Sequence, residues 1–470
     1  MRRAQLQCGW AILGALLLSL LQCGRCRDNS PLVARVGDRG ISQQQFALRC
    51  ELAIRPQVRG TPEEQKRALL ELLIDEKLLA LEAEAQGLHR DERFQEAVAL
   101  CADLAAARAL YAREVQDKVQ LTPEEVAAAA QHMRQIRTVQ FFLTKNQAEA
   151  EEARQQLLAS GSFAQLLRKL GPMAADTTRF RFATRWGDIE QALDDALFQL
   201  RIGQISPVVN TSRGYVVCRV DSIVFAPALT ETDAAEVRHK ASKILRARKE
   251  AVRADAYVKE VMRDKQVEVD ERAFNILANA VQRHIDFAGG TLPPLAERQI
   301  LLTDEVVGST AQELAGAADM VVLRFAGGQW TIGEVLKRWR VLRPPIGTSS
   351  PSACRSSLAR TLSTMVRDHF LAQEAKRKDL YKSPQVREEI AMWRDYFLAE
   401  LMLRQLRANA SPGGSVRSHF AQLRARYPVE RNLRPLQSVT LTRIPLVGVR
   451  PGQYGALAVP PWPIWDEGEQ

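Results

Sequence analysis

Histidine and cysteine side chains are well suited to proton transfer, nucleophilic attack and metal binding, and the 470-residue sequence contains 6 and 7 of them, respectively. The histidines are isolated in helical contexts, which favours surface or capping roles: His89, His132, His239, His284, His369 and His419. No cysteine pair has C-x-x-C spacing with histidine partners, so we predict no metal site and no cofactor. Adjacent acids such as Asp194 and Asp195 diverge on a helix, which argues against paired-carboxylate catalysis.

The stretch 137–225 alternates short strands and helices. One strand is predicted at 138–143. Helices are predicted at 148–159, 163–170 and 193–200, with an irregular stretch before the last of them. The closing segment "TSRGYVVCRV" (211–220) joins turn-forming residues to β-branched and aromatic ones, which predicts a turn and a buried strand. Together these elements predict a small antiparallel sheet with helices on one face.

Two parts of the chain repeat each other. The segment "VARVGDRGISQQQF" (33–46) matches "VLRFAGGQWTIGEV" (322–335). Each predicts a short strand, a glycine turn and then a helix, whose N-cap is Ser42 in the first copy and Thr331 in the second.

The repeat continues into a long helix and then a strand. Residues 73–83 match 365–375, with apolar residues at helical spacing along one buried face. The first copy leads into the α/β stretch described above. The second leads into a predicted strand at 437–444, and a proline-rich tail follows it.

Four segments in order resemble a known family: "AEEARQQLLASGSFAQLLRKL", "WGDI", "LDDALFQLRIGQISPVV" and "GYVVCRV". Together they look like a parvulin-type (PpiC, rotamase) peptidyl-prolyl isomerase domain. The flanking "VARVGDRGISQQQF" and "LLIDEKLLALEAEAQGL" resemble the helical chaperone domain of SurA-like and PrsA-like envelope folding factors. The resemblance implies an α+β fold, in which mainly helical SurA-like chaperone units accompany one small parvulin-like α/β domain with an antiparallel sheet and helices.

The repeat and the resemblance together predict the domain organisation. We expect a signal peptide of lipoprotein type (1–22), an N-terminal helical chaperone-like domain (30–134), a degenerate parvulin-like domain (137–225), a helix packing back on the N-terminal domain (230–265), a second helical unit repeating the first (266–430), and a strand with a Pro-rich tail (431–470). Trp462 and Trp465 stand among prolines in this tail. We read them either as part of a flexible tail or as exposed aromatics that dock onto a partner or a membrane interface.

The resemblance also implies a catalytic site, from which this chain departs. Parvulins use two facing histidines and an apolar cup around the proline ring. Gln140 and Val216 stand at the histidine positions, and Leu193 stands at that of a pocket phenylalanine. The other expected positions of the peptide groove are Phe142, Ile189 and Thr211. We therefore expect no catalytic residue and little or no isomerase activity; a rearranged but active site is the alternative.

The N-terminus predicts export. Arg2 and Arg3 precede an apolar run (10–21) that is too short to span a membrane, as in a secretory signal. Cys23 follows at the position of the lipidated cysteine of a bacterial lipobox, although Gln22 occupies a place where a small residue is usual. We expect a protein of the periplasm, either anchored to the membrane by a lipid on Cys23 or exported without an anchor.

The charge pattern argues against nucleic-acid binding. The 65 basic and 55 acidic residues give a net charge of +10, but the two signs are interleaved rather than clustered. We expect the partners to be unfolded or extended segments of envelope proteins, held weakly by a chaperone with two binding modules. The alternative is a structural or assembly protein with one dedicated envelope partner.

Overall fold

The computed structural model describes residues 30–168, 180–226, 230–287, 299–409, 417–442, 459–463 and 465. The chain divides into two compact units. Among the described residues, we call Val115–Asp255 the middle unit, and Ser30–Glu114 together with the chain from Ala256 the helical unit. Long helices and small antiparallel sheets confirm the predicted α+β, mainly helical fold class. The predicted leader and Cys23 lie outside the described residues. Within them, no helix is long and apolar enough to cross a membrane.

The elements are numbered in chain order. The strands are β1 Leu32–Val36, β2 Arg39–Ser42, β3 Gln135–Thr144, β4 Arg181–Arg185, β5 Val209–Thr211, β6 Gly214–Phe225, β7 Glu268–Val269, β8 Gln299–Leu301, β9 Val321–Phe325, β10 Gly328–Thr331, β11 Pro345–Gly347 and β12 Val429–Arg431. The helices are α1 Gln43–Leu52, α2 Pro62–Ala85, α3 Glu92–Glu114, α4 Pro123–Met133, α5 Gln147–Ser160, α6 Phe163–Arg168, α7 Gln191–Gln199, α8 Glu231–Met262, α9 Glu271–Arg283, α10 Asp304–Glu313, α11 Ile332–Leu342, α12 Pro351–Arg377, α13 Pro384–Asn409 and α14 Arg417–Arg426.

The predicted helix caps are present in both copies of the repeat. The Ser42 hydroxyl accepts a hydrogen bond from the backbone N–H of Gln45 at the start of α1. Thr331 does the same for Glu334 at the start of α11, and the Glu334 carboxylate accepts in return from the Thr331 N–H. These bonds satisfy backbone donors that have no partner within the helix, which explains where both helices begin.

The middle unit contains a four-stranded antiparallel sheet in the order β4-β3-β6-β5. The central strands β3 and β6 pair along the whole of β3, with one shift of register between Thr138 and Val139; beyond it Phe142 lies opposite Val217 and Leu143 opposite Val216. The edge strand β4 lies in the stretch that the sequence analysis read as irregular, so that reading was wrong. Its sequence, RFATR, has too few apolar residues to signal a strand, and its pairing with β3 supplies the stability that its composition does not.

In the helical unit the two copies of the repeat interlock. Helix α2 packs against α13, and α3 packs against both α12 and α13, so the long helices of each copy cover those of the other. Among the strand pairs, β12 at the end of the second copy pairs with β1 of the first (Arg35 opposite Glu430). β7 pairs with β9 within the second copy (Glu268 opposite Arg324). Each β-hairpin of the repeat thus takes its third strand from a distant part of the chain.

Two groups of buried charges lie within this helical unit. Arg49 of α1 and Glu76 of α2 form a fully buried ion pair with Nη2 and Oε2 2.5 Å apart. The second group centres on Asp395 of α13, whose carboxylate pairs with both Lys77 and Arg39. Burying these charges is costly unless each keeps its partner, so they fix the relative position of the helices that carry them.

Two expectations about the C-terminal part are corrected. No strand forms at 437–442; a 3-10 helix (Pro435–Ser438) stands there instead, and the strand β12 lies upstream of it. The predicted tail is not exposed at its tryptophans, because Trp462 and Trp465 are only 5% and 7% exposed. Composition alone did not predict this burial, since it depends on a surface formed by distant residues.

Replacing Asp395 by Asn tests the buried charge network. The change removes the carboxylate that Lys77 and Arg39 share; Arg39 keeps its pair with Glu84, whereas Lys77 loses its salt-bridge anion. We expect Asp395→Asn to lower the free energy of unfolding by about 3–5 kcal/mol, the usual cost of breaking a buried ion pair from one side. Urea denaturation of the full chain, followed by circular dichroism, measures it.

The control for this substitution is Asp379→Asn, which breaks an exposed ion pair. Asp379 and Lys382 lie 2.7 Å apart, with side chains 71% and 80% exposed. Since solvent screens such a pair, we expect a change of at most about 1 kcal/mol. Equal losses in the two variants would contradict a stabilising role for the buried network.

Candidate peptide-binding site of the middle unit

The middle sheet has two faces, each covered by different helices. On the first, which we call the α7 face, Val216 packs with the partly buried Ile189 and Leu193 in a cluster that also contains Leu197 and Phe198 of α7. On the opposite, α5 face, side chains of β3 and β6 pack against α5 and α6. Three of the predicted groove positions, Ile189, Leu193 and Val216, thus share the α7 face.

Gln140 and Phe142 lie on the α5 face, so the structure does not bring them together with Val216. Gln140 Oε1 accepts a hydrogen bond from Nη2 of Arg219 at 2.8 Å, and the Arg219 guanidinium stands over the Phe163 ring. Phe142 packs in the same cluster as Phe163. Successive side chains of a strand point to opposite faces, so the face changes from one residue of β3 to the next. Phe141, not Gln140, shares the face of Val216.

Thr211 has a structural role in the turn between β5 and β6. Its hydroxyl donates to the Gly214 carbonyl oxygen at 2.6 Å. The turn is tied to the start of α7 by Glu190, whose carboxylate accepts from the Ser212 N–H at 2.9 Å and from the Ser212 hydroxyl at 2.9 Å. Thr211 therefore shapes the rim of the α7 face rather than lining a groove by its own side-chain chemistry.

An aromatic patch on this face was missed by the sequence analysis. We define it as Phe141, Phe180 and Phe182, which are all partly buried. The Phe141 ring lies 5.4 Å from that of Phe182 and 6.1 Å from that of Phe180, between centroids. The alternation of Phe and Arg at 179–182 is the signal that could have revealed it, because one face of a strand there is aromatic.

Helix α7 is fixed to the sheet at its C-terminal end by Arg137. This guanidinium, on a residue only 4% exposed, donates to the carbonyl oxygens of Phe198 (3.1 Å) and Leu200 (2.8 Å) and also to that of Leu197. The Leu197 oxygen also accepts from the Leu200 N–H, but the last carbonyls of a helix lack further partners within it, so a buried cation there binds them and complements the helix dipole.

The first part of α8 fixes the other end of α7. Arg248 of α8 pairs with the fully buried Asp194 and, at 2.8 Å, with Asp195, and its guanidinium lies 4.2 Å from the centroid of the Trp186 ring. Burial raises the pKa of Asp194 to about 6, even though Arg248 and the Gly187 N–H both favour the charged form. The carboxyl serves to position α7, because its partners are all structural.

Among the described residues, the β3 and β6 side chains of the α7 face include no imidazole or carboxylate; the His132 ring of α4 packs edge-on against Phe198, with centroids 5.7 Å apart. No histidine occurs between His132 and His239 in the sequence, so no imidazole can stand on β3 or β6. Cys218 lies on this face, but burial raises the pKa of its thiol to about 12, so it is neutral and inert at physiological pH. No cluster of metal-ligating side chains is present in the part of the chain that the structure describes.

Residues 132–239 match the family model described as the PPIC-type PPIASE domain. These residues form a PPIC-type peptidyl-prolyl isomerase domain. The predicted parvulin-type domain is thereby confirmed for the middle unit, and the match spans less than half of the chain. No curated protein matches the chain in sequence.

Several solved structures are similar to this chain at low identity. PrsA from Bacillus cereus is 16% identical, with 52% of this chain and 96% of that chain covered at a TM-score of 0.23. The foldase protein PrsA from Streptococcus pneumoniae str. Canada MDR_19A is 14% identical, with 45% and 85% covered at a TM-score of 0.23. A structure from work on the SurA-like chaperones PEB4 and Cj1289 of Campylobacter jejuni is 18% identical, with 45% and 88% covered at 0.20. The assignment rests on the family match at 132–239.

Two glycine substitutions test how closely α8 packs on the loop before α7. Gly187 and Gly203 both have positive φ, 93° and 82°, so alanine costs about 1–2 kcal/mol of backbone strain at either. A Cβ at Gly187 would also lie 2.4 Å from Cδ1 of Ile244, whereas one at Gly203 would meet nothing within 4 Å. We expect Gly187→Ala to lower the free energy of unfolding by about 1–3 kcal/mol more than Gly203→Ala. Equal losses of unfolding free energy in the two variants, measured by urea denaturation, would show that Ile244 of α8 moves aside and would contradict tight packing at this contact.

Proposed function

We propose that this protein is an exported folding factor of the peptidyl-prolyl isomerase family that binds unfolded segments and has little or no isomerase activity. The observation that carries the proposal is the composition of the α7 face. Where the family places two imidazoles, this face presents Val216 and, one residue from the position expected in the sequence, Phe141. The scaffold of the domain is kept, while its polar centre is replaced by apolar side chains.

The chemistry of prolyl isomerisation explains why this replacement matters. Rotation about an X–Pro bond crosses a barrier of about 20 kcal/mol and breaks no covalent bond. A catalyst must therefore stabilise the twisted amide with polar groups placed around it. Phe141, Phe182 and Val216 can hold an apolar side chain by contact, but they cannot stabilise the altered charge of the amide.

The same face is suited to weak and broad binding. The aromatic patch is only partly buried and adjoins Leu143, whose side chain is 40% exposed at the end of β3. Shallow apolar contacts of this kind bind many sequences with low affinity, which is what a chaperone requires of one site. The duplicated helical unit would add further contacts on the same chain, and linked weak sites gain avidity.

Export forms the second part of the proposal. The basic residues Arg2 and Arg3 and the apolar run that follows support a secretory leader, and Cys23 supports a lipid anchor on the mature chain. A periplasmic or membrane-anchored position would place the protein where envelope proteins pass in an unfolded state.

Two double variants that introduce histidines test the proposal. They also test which β3 side chain shares a face of the sheet with Val216. We compare the wild-type chain, Phe141→His plus Val216→His, and Gln140→His plus Val216→His in a proline-isomerisation assay. The wild type is expected to lie at least about 100-fold below an active parvulin, since it lacks the polar groups. The isomerisation rate of the Phe141→His variant pair is expected to exceed that of the matched Gln140→His pair at least tenfold, which corresponds to about 1.4 kcal/mol in the barrier. The reason is that only the Phe141→His pair puts both imidazoles on one face.

Two results would count against this account. Wild-type turnover within about tenfold of an active parvulin would show that a rearranged site works without histidines. Equal gains in the two double variants would show that the face of the side chain at these positions does not matter. Circular dichroism of each variant confirms that the fold is retained.

A further inference from the structure

The C-terminal segment, by which we mean residues 459–463 and 465, is held within the helical unit as a peptide is held in a groove. It contains no helix or strand, yet Val459, Trp462 and Trp465 are only 2%, 5% and 7% exposed. The Trp465 ring packs against that of Phe420 of α14, with centroids 5.4 Å apart. A proline-rich stretch has no internal hydrogen bonds to order it, so the surface around it supplies its order.

Arg49 of α1 is the anchor of this groove. Its Nη2 donates to the Pro461 carbonyl oxygen at 2.6 Å, and its guanidinium lies 5.7 Å from the centroid of the Trp462 ring. Nη2 also donates to Oε2 of Glu76 at 2.5 Å. Because Glu76 holds the guanidinium in place, little freedom is lost when a peptide carbonyl binds to it.

The same surface holds a second stretch of the chain in a similar way. Nζ of Lys66, a residue only 4% exposed, donates to the carbonyl oxygens of Leu436 (2.9 Å) and Val439 (3.2 Å). The carboxylate of Glu51 accepts from the Thr442 N–H at 3.1 Å. Buried charged side chains of α1 and α2 thus bind main-chain groups, which every extended peptide offers whatever its sequence.

We propose that this groove is a peptide-binding site, that the C-terminal segment is its internal ligand, and that an extended client segment containing aromatic and proline residues displaces it. The fit of the internal ligand is incomplete. Nε1 of Trp462 and of Trp465 are buried with no acceptor among the described residues, which costs the segment part of its affinity. The class of partner rests on the proposed function. The site itself is separate from the α7 face.

Peptide binding by the full chain tests the proposal. The probe is a fluorescein-labelled peptide, AVPPWPIW, with the sequence of residues 458–465. We expect Trp462→Ala plus Trp465→Ala to bind it at least tenfold more tightly than the wild type in fluorescence anisotropy, since the internal competitor is lost. The control variant Trp330→Phe removes a tryptophan of β10 that packs against Phe325 and His369 instead, and it is expected to bind as weakly as the wild type. The control peptide AVPPAPIA is expected not to bind.

A second measurement leaves the chain intact. In wild-type protein carrying 5-fluorotryptophan, excess unlabelled AVPPWPIW is expected to move the ¹⁹F resonances of Trp462 and Trp465, assigned from single Trp→Phe variants, toward those of exposed tryptophan. Equal affinity of the wild type and the double alanine variant would overturn the proposal, as would equal binding of the two peptides. If the double alanine variant is unfolded by circular dichroism, the test rests on the wild-type protein alone. In that case, ¹⁹F resonances that do not move at saturating peptide would overturn the proposal. Each of these results concerns only the groove. The proposed function would still stand if the full chain suppresses the aggregation of unfolded clients.

Discussion

The packing of α2 against α13, and of α3 against α12, is the interaction on which the rest of the helical unit depends. The long helices of each copy pack against those of the other. Strand pairing reinforces this at one place, because β12 pairs with β1 of the first copy, whereas β7 adds to the hairpin of the second copy from within that copy. The buried pairs Arg49–Glu76 and Lys77–Asp395 would be costly in any other arrangement. The duplication thus yields one interlocked body rather than two independent modules.

In the middle unit, two buried arginines hold α7 on the sheet. Arg137 caps one end of the helix, and Arg248 pairs with Asp194 at the other. None of these requires the imidazoles that the family uses. The apolar side chains Phe141 and Val216 belong to the packed core of the α7 face, so the fold does not depend on imidazoles there. The partly buried aromatic patch is the part of this face that we propose to contact an extended chain.

Much of this fold could be predicted from the sequence, because periodicity and capping are local signals. The helices of the middle unit, the strand β3 and the caps Ser42 and Thr331 follow directly from residue patterns. The side of the sheet on which Gln140 lies could not be predicted, since a one-residue shift exchanges the two faces and only the pairing with β6 sets it. The burial of Trp462 could not be predicted either, because its partner Arg49 lies more than four hundred residues away in the chain.

The central claim is that the protein holds unfolded chains without isomerising prolyl bonds. The most direct test measures, by light scattering, the aggregation of two chemically unfolded clients, one with several prolines and one with none, in the presence of the full chain. The account predicts suppression of both at near-equimolar ratios, because apolar and main-chain contacts need no proline ring. Suppression confined to the proline-containing client, and achieved at catalytic amounts of the protein, would contradict it.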